Sequence, residues 1–526
     1  MLRRSSMFLV VTTFAVVGAG MFPVAANADQ WAPVSPSVSA NQVAVTVSDQ
    51  TNVEPVSMIT AGISDGSSNF GDSEICTSVT TSGPCDVSAP GSAGGGLVLL
   101  PICATSVESN CIVSVSLGTA AATMTPATYI RPTQGPAFAG IPELNIPEGS
   151  TIGLWQSSVA NAAGTTTYAA DVALSFSWYN GVFSSPTLSA QIEPYSQISG
   201  PFFSAPQPFV TTDSTGKRVV ETIGTVSNCA WTETGTCGLK EDFAPGTVAS
   251  MAIRVSDSIS GWFFGRLQSP SLSVERFDAT SQIVTVSGQA VSVPVFEATS
   301  SYSTPSPAFQ TFFASQTYQQ PLFSGLLEQV PADGPNAFTA VDDLRATVNN
   351  TASGVATAWV FNTFPSDESP CMSANSTILG LVTTNAMAYD GSPPAFINGF
   401  LEYHVAGMHY LPDGSVASGT YDMIMADSVA RCLYGFTNAP ISATIAVTEN
   451  SGVENVATTS VSDSGGWLHL GAYNFNFSDP VITMQLKQAP VAKVRKLVTL
   501  TCVKGPSKRI VRGVRPHCPT GYQVHR

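Results

Sequence analysis

Residue types that commonly carry catalysis or bind metal ions are sparse in this chain. It has five histidines, and two of them lie within the last ten residues. His404 and His409 form the closest pair elsewhere, but they are an odd number of positions apart. Because successive side chains of a strand alternate between its faces, this spacing does not suit a shared metal ion unless a bulge at Gly407 realigns the pair. We therefore predict no metal site.

Two patterns suggest hydrolysis without specifying it. Residues 62–66 (GISDG) match the GxSxG nucleophile elbow, but no helical pattern follows, so we interpret them as a turn. A glycosidase needs two carboxylates across the scissile bond, and Glu402 and Asp422 would face each other across a predicted hairpin. Nothing in the sequence selects that pair. We predict no catalytic residue and no cofactor, and an enzymatic activity stays open.

Acidic turns and one isolated base are further candidates. Calcium sites place several oxygen ligands at D-x-D-x-D-G spacing, which none of the acidic turns has, so we interpret these as plain turns. The turns begin at Asp65, Asp213, Asp390 and Asp413. Arg431 stands beside Cys432 with few bases nearby. We expect it to pair with Asp422 or Asp427 and orient a loop, and an anionic ligand is the alternative partner.

Tryptophans raise the question of sugar stacking. Six are candidates, namely Trp155, Trp178, Trp231, Trp262, Trp359 and Trp467. Three of them recur in similar segments, since VSDSISGWFFGRLQSPSLSV at 255–274 resembles VSDSGGWLHLGAYNFNFSDPVITM at 461–484, and WYNGVFSSPTLSAQI from Trp178 matches the first in part. A tryptophan repeated within structural units suits a core position, so we expect these rings to be buried.

The elements that must position these residues are strands. QVAVTVSD, CIVSVSLG, SQIVTVSGQAVSVPV and ISATIAVTEN alternate apolar and polar residues between turn residues. In HYLPDGSVASGTYDMIM, Pro412-Asp413-Gly414 predicts a hairpin turn. The best helix candidate, residues 306–330, is broken by Pro321 and Gly325. The sequence predicts an all-β protein.

A chain of 526 residues exceeds what one core usually organises. We predict several β-sandwich (Ig-like) domains in tandem with a small disulfide-tied C-terminal tail. The predicted segments are a signal peptide (1–28), a β domain with two short disulfide loops (29–136), a β-sandwich domain (137–298), a linker or bridging segment (299–335), a β-sandwich domain (336–488) and a basic disulfide-tied tail (489–526).

The N-terminus has the pattern of a secretory signal peptide. Arg3 and Arg4 precede an apolar stretch at 7–17, and Ala26-Asn27-Ala28 is a small-x-small cleavage site. That stretch is shorter than the ~20 residues of a bilayer span, and no later apolar run is long enough. We expect a secreted, extracellular protein with no transmembrane segment in the mature chain.

The ten cysteines suit an oxidising compartment, where an even count predicts disulfides. The absence of any CxxC pattern and the few histidines argue against zinc. Proximity along the chain predicts five pairs: Cys76 with Cys85, Cys103 with Cys111, Cys229 with Cys237, Cys371 with Cys432, and Cys502 with Cys518.

Charge divides the chain sharply. Ten of the 21 lysines and arginines follow Leu486 and two precede Asp29, which leaves nine for the body together with all 36 acids. The body therefore carries about −27 and the tail about +10. We expect the body to repel nucleic acid and anionic membranes and the tail to bind an anionic polymer. The alternative for the tail is a solvated segment that only keeps the C-terminus soluble. The polymer-binding candidates are Lys493, Arg495, Lys496, Lys504, Lys508, Arg509, Arg512 and Arg515.

The tail also carries a resemblance. TCVKGPSKRIVRGVRPHCPTGY resembles the short C-terminal TCxKG…PxCPxGY segment of exported actinobacterial surface proteins, most of them uncharacterised. LPICATSVESNCIVSV, SGWFFGRLQSPSLSV and TYDMIMADSVARCLYGF are similar to stretches of large secreted proteins from those bacteria. The resemblance covers about half of the chain and implies an extracellular or envelope location. It implies no activity, cofactor or catalytic residue.

Three functional hypotheses follow. The first is a non-enzymatic, exported surface protein, structural or binding, whose basic tail docks on anionic envelope polymers or glycans. The second is a secreted carbohydrate-binding or carbohydrate-active protein, which requires converging carboxylates and exposed tryptophans. The third is a protein that assembles with copies of itself, although the sequence sets no oligomeric state.

Overall fold

The computed structural model describes most of the chain beyond residue 40. The predicted signal peptide lies outside the described residues. The described residues are 41–49, 53–54, 57–64, 70–76, 85–104, 108, 110–135, 139–141, 147–199, 204–212, 218–227, 229–315, 326–364, 370–372, 377–437, 441–449, 454–455, 458–477, 480–488 and 498–525.

Strands make up 59% of the part of the chain that the structure describes and helices 9%, which confirms the all-β prediction. The first nineteen strands are β1 (Gln42–Ser48), β2 (Val53–Glu54), β3 (Met58–Ser64), β4 (Phe70–Cys76), β5 (Ser92–Leu99), β6 (Cys111–Gly118), β7 (Thr125–Pro126), β8 (Thr128–Pro132), β9 (Gly153–Gln156), β10 (Thr167–Tyr179), β11 (Val182–Phe183), β12 (Thr187–Ser199), β13 (Ser204–Thr212), β14 (Arg218–Ser227), β15 (Cys229–Glu233), β16 (Thr236–Lys240), β17 (Val248–Ser256), β18 (Gly261–Arg266) and β19 (Gln268–Arg276). The others are β20 (Ser281–Gln289), β21 (Val291–Ser301), β22 (Leu326–Pro331), β23 (Gly354–Ala358), β24 (Val360–Phe364), β25 (Ile378–Thr384), β26 (Ala388–Tyr389), β27 (Ala395–Ile397), β28 (Phe400–Ala406), β29 (Ser418–Ala426), β30 (Ile441–Glu449), β31 (Glu454–Asn455), β32 (Thr458–Ser464), β33 (Trp467–Asn476), β34 (Pro480–Gln488), β35 (Val498–Lys504), β36 (Ser507–Gly513) and β37 (Gln523–Val524).

A sixteen-stranded sheet is the centre of the fold. Its main path runs β32-β33-β29-β25-β18-β24-β12-β10-β5-β3-β4, and β8, β9, β11, β15 and β16 pair at its side. The sheet crosses the boundaries predicted at 136 and 298, because β5 pairs with β10 and β18 pairs with β24. Likewise β1 pairs with β21 and, in parallel, with β22. Segments predicted as consecutive domains thus share hydrogen-bonded sheets.

Smaller sheets cover both faces of this large sheet. On β18, Trp262 and Phe264 belong to the core shared with the four-stranded sheet (β22-β1-β21-β23) and the six-stranded sheet (β26-β28-β34-β30-β31, with β27 paired to β28). Phe263, between them, belongs to the core shared with the five-stranded sheet β19-β20-β17-β6-β7. Burial of both faces explains why β18 and β25 are apolar almost throughout instead of alternating.

Glycines on these strands make room for large rings. Gly94 lies opposite Trp178, Gly380 opposite Trp262 and Gly238 opposite Trp231 on neighbouring strands. A Cβ atom on any of the three would come within 2.4 Å of the facing indole, nearer than real contacts allow. Similar pairs join Gly96 to Phe176 and Gly419 to Phe475.

Helices are few, and the predicted one is only partly present. Within the described residues, the α-helices are α1 (Pro307–Ser315), α2 (Pro335–Leu344) and α3 (Asp427–Tyr434), and 3-10 turns span Ala121–Thr123 and Arg345–Val348. The prediction of helical pieces across 306–330 is correct for α1 and wrong for β22, which is a strand because it pairs with β1. Pro321 and Gly325 lie outside the described residues. Phe309 and Phe312 of α1 are fully buried, so this stretch of the predicted linker packs into the core.

The hairpin predicted around Pro412-Asp413-Gly414 is also half correct. A tight turn is present, with Gly414 at φ 83° and its N–H bonded to the Leu411 carbonyl. However, β28 pairs with β26, β27 and β34, whereas β29 pairs with β25 and β33. The turn therefore joins strands of two different sheets, whose rings Tyr403 and Tyr421 pack 5.2 Å apart.

Five disulfides are present, and they join the predicted partners. The bonds are Cys76–Cys85, Cys103–Cys111, Cys229–Cys237, Cys371–Cys432 and Cys502–Cys518. Four of them close short loops, and only Cys371–Cys432 joins distant positions, 61 residues apart.

Among the helices of the described residues, none has the length and hydropathy of a membrane span.

Candidate functional site

The histidine pair does not form a metal site in the described part of the chain. His404 is exposed on β28, and its Nδ1 lies 2.9 Å from Oδ2 of Asp390, whose hydrogen bond raises the histidine pKa. His409 lies beyond the end of β28 with its ring 4.6 Å from that of Tyr410. Among the described residues, the one cluster of three possible ligands contains Cys103 and Cys111, which are bonded to each other.

The suggested carboxylate pair is divided between two sheets. Glu402 lies on β28 and Asp422 on β29, which belong to two different sheets. Tyr403 and Tyr421 face each other between these strands, so strand alternation places Glu402 and Asp422 on the opposite faces. Asp422 is buried, which raises its pKa to about 6, and it accepts hydrogen bonds from the Tyr473 hydroxyl and, at 3.0 Å, from the Ser269 N–H. Those contacts connect three strands, so the role of Asp422 is structural. Within the GISDG match, Ser64 ends β3, and Asp65 and Gly66 lie outside the described residues.

The acidic turns use their oxygens locally. The Asp413 carboxylate accepts the Ser415 N–H at 2.9 Å and its hydroxyl at 2.6 Å, which lowers the pKa of Asp413. Such a loop is an Asx turn. Asp390 bonds to His404 in the same way, through the main-chain N–H as well as the ring. The turn at 213–216 lies outside the described residues.

The tryptophans and Arg431 occupy structural positions. Five of the six rings are at most 4% exposed, and Trp467 is half-buried against the core that contains Trp155 and Trp359. Arg431 lies one helical turn after Asp427, at 3.9 Å, and donates to the Thr437 carbonyl, which orients the loop after α3 as predicted. A sugar-binding surface needs exposed tryptophan rings, and five of these six rings are buried.

A buried arginine that sequence reasoning missed ties two sheets together. Arg266, the last residue of β18, is fully buried, and its Nε donates to Oδ2 of Asp49 at 2.6 Å. Its terminal nitrogens donate to the carbonyls of Thr384, Ala386 and Met387. The attraction of Asp49 and the Tyr389 and Tyr403 hydroxyls keeps the Arg266 pKa raised despite burial. A lone base in the apolar run GWFFGR was the signal available in the sequence.

This arginine lines a cleft between the large and the four-stranded sheets. One wall is apolar, built from Val293, Val295, Ala356 and Ala358, and the cavity between the walls is small, about 30 Å³. The opposite wall carries Glu193 and Arg266. Each of these charges already has a partner, since Lys240 Nζ lies 3.0 Å from Glu193 and Asp49 binds Arg266. The paired charges fit a structural bridge between the sheets better than a catalytic centre.

The tail forms its own small sheet. Its strand order is β36-β35-β37, and no described strand of the body pairs with it. The disulfide between Cys502 and Cys518 closes it, and Cys502 is fully buried. Five of the predicted polymer-binding residues are described, and all are exposed: Lys504, Lys508, Arg509, Arg512 and Arg515. Lys493, Arg495 and Lys496 lie outside the described residues.

Cations dominate the surface of this sheet. Residues 498–525 contain five lysines and arginines and no acid. The ion pairs found between described residues all lie in the body and include none of the five. The tail bases are thus free of carboxylate partners within the described residues, whereas Arg266 and Lys240 of the body are paired.

The fold and the site together define an all-β, disulfide-bonded protein with a distinct cationic C-terminal sheet. No protein-family model matches the chain, and no curated protein matches it either.

Proposed function

We propose that the protein is an exported, non-enzymatic surface protein whose basic tail docks on anionic polymers of the cell envelope. The observation that carries the proposal is the separation of charge in both sequence and fold. In the sequence, a disulfide-closed sheet with exposed bases and no acid follows a body of about −27. Anionic polymers are attracted to the cationic tail and repelled by the anionic body.

The alternative of a carbohydrate-active or carbohydrate-binding protein has less support. Its main requirement was exposed tryptophans, and five of the six candidates are buried. The proposed carboxylate pair of Glu402 and Asp422 is split between sheets. An exported location draws support from the five disulfides, which persist in oxidising compartments.

Fractionation of the native host tests the docking. The full-length protein and a variant lacking residues 489–526 are compared in the medium, in a salt wash of the envelope and in the membrane fraction. We expect full-length protein in the salt wash and the truncated protein in the medium, because attraction between exposed charges is screened by salt. Equal retention of both forms on the cells would remove the tail from the mechanism.

A further inference from the structure

The two faces of the tail sheet differ in what covers them. On one face lie Cys502 and its cross-strand neighbour Arg509. The disulfide brings Cys518 onto this face, and the Tyr522 ring lies 5.9 Å from the Arg509 guanidinium. A Cβ atom on Gly521 would lie 3.2 Å from the Lys504 ammonium. The chain after β36 therefore packs over this side, which we name the covered face.

The opposite side, the open face, consists of the alternate residues of β35 and β36. Strand alternation and register place six residues there: Thr499, Thr501, Val503, Lys508, Ile510 and Arg512. Ile510 is 72% exposed, whereas its neighbour Val511 on the covered face is half-buried. Thr501 and Val503 of the open face are half-buried, so the exposed part of this face lies on β36, around Ile510.

The open face has a regular arrangement of charge. Lys508 and Arg512 flank Ile510 on β36, so their Cα atoms are about 13 Å apart at ~3.3 Å per residue. Nε of Arg512 donates to the Thr499 hydroxyl at 3.1 Å, which holds the guanidinium across the two strands. A guanidinium held in this way presents paired N–H donors to a phosphate or carboxylate.

Resting on the proposed function, we infer that the open face is the docking surface and that its ligand is a linear polyanion whose charges are carried on an uncharged carbon framework. Lys508 and Arg512 bind two separate anionic groups of one polymer strand, and the exposed Ile510 between them contacts the framework. Charged polysaccharides and polyol phosphates share this chemistry. Charge complementarity selects the occupant, since residues 498–525 contain no acid.

Two charge-matched variants of the full chain test the assignment. Lys508→Gln with Arg512→Gln neutralises the open face, and Lys504→Gln with Arg509→Gln removes one lysine and one arginine from the covered face. Binding is measured to immobilised poly(glycerol phosphate) and to polygalacturonate, which distinguish phosphate from carboxylate. We expect the open-face variant to lose at least tenfold in affinity and the covered-face variant less than threefold. Circular dichroism and an intact Cys502–Cys518 bond control for folding.

The outcomes separate the inference from the proposed function. If both variants lost the same affinity, the open face would not be the docking surface, although the tail could still bind through its charge. If the wild-type chain bound neither polymer and tail removal changed nothing on cells, the proposed function itself would fail. Binding to vesicles of anionic phospholipid in place of both polymers would assign a membrane surface and overturn the polymer. Ile510→Ser should weaken binding to poly(glycerol phosphate) and to polygalacturonate, but it should not change binding to inorganic polyphosphate, which has no carbon framework. If binding to all three polymers weakened equally, the proposed contact between Ile510 and the framework would be wrong.

Discussion

Replacing Gly380 by alanine tests how tightly the central sheet is packed. An added Cβ would lie 2.3 Å from Cζ3 of Trp262 and 2.5 Å from the Ile424 carbonyl oxygen. Favourable carbon contacts lie at about 3.5–4.0 Å, so both atoms would have to move by an ångström or more. Trp262 is fully buried, and the carbonyl belongs to the backbone of a neighbouring strand, so neither can turn away freely.

Overpacking by one methyl group typically costs about 1–3 kcal/mol. Because one of the two clashes at Gly380 is with a backbone atom, we expect a loss near the upper end, about 3 kcal/mol in the free energy of unfolding. Urea unfolding followed by tryptophan fluorescence measures it. Val182→Thr is the control within the same sheet, since Val182 on β11 is 72% exposed, and it should change stability by less than about 0.5 kcal/mol.

A double-mutant cycle with Trp262→Leu then separates the two clashes. Combining it with Gly380→Ala removes the contact with the indole but leaves the contact with the Ile424 carbonyl. The double variant should therefore be more stable than the sum of the single effects predicts, without full recovery. A Gly380→Ala protein as stable as wild type, or strictly additive effects, would refute the idea that glycine is required to seat this ring.

Three further outcomes are expected. Glu297 is buried with one carboxylate oxygen unbonded, and burial raises its pKa to about 7. The unfolded chain releases that proton near pH 4.5 and the folded chain near pH 7, so the free energy of unfolding should fall between these two pH values. The total loss should be about 1–3 kcal/mol at pH 8, and the Glu297→Gln variant, measured by urea unfolding at pH 5 and pH 8, should not show it. Arg266→Met leaves a carboxylate without its cation and should cost about 3–5 kcal/mol by thermal or urea unfolding, whereas Arg276→Met at an exposed ion pair should cost under about 1 kcal/mol. Replacing Cys502 and Cys518 by alanine removes a loop constraint worth about 3 kcal/mol, so limited proteolysis should cut the tail sooner while the circular dichroism of the body stays unchanged.

Features set by near neighbours in the chain could be predicted from the sequence. Four disulfides close loops of 8 to 16 residues, and short separation alone identified the partners. Strand content followed from alternation, and the context of the repeated tryptophans correctly predicted burial for Trp178 and Trp262, whereas Trp467 is only half-buried. The helix α2 also had a local signal that the strand pattern obscured, because its buried residues Ala337, Ala340, Val341 and Leu344 are spaced three, one and three apart.

Features set by distant partners could not be predicted. Alternation of apolar and polar residues predicts a strand but does not predict which strand it pairs with. For example, β1 pairs with β21 some 250 residues away, and the Thr46 hydroxyl donates to the Phe296 carbonyl. Arg266 shows the same limit, since its carboxylate and carbonyl partners lie 118 to 217 residues distant. The candidate site differs in this respect, because a tail of adjacent bases and two cysteines is local in sequence and therefore visible there.

The opposite charges of tail and body together determine how a bound molecule would be oriented. Attraction to a polyanion acts through the exposed bases of residues 498–525, whereas the body, at about −27, is repelled by the same polymer. Both interactions are screened beyond about 8 Å at physiological ionic strength, so repulsion acts only on parts of the body that come within that distance of the polymer. If the tail docks as proposed, this repulsion disfavours orientations in which the acidic body lies along the polymer.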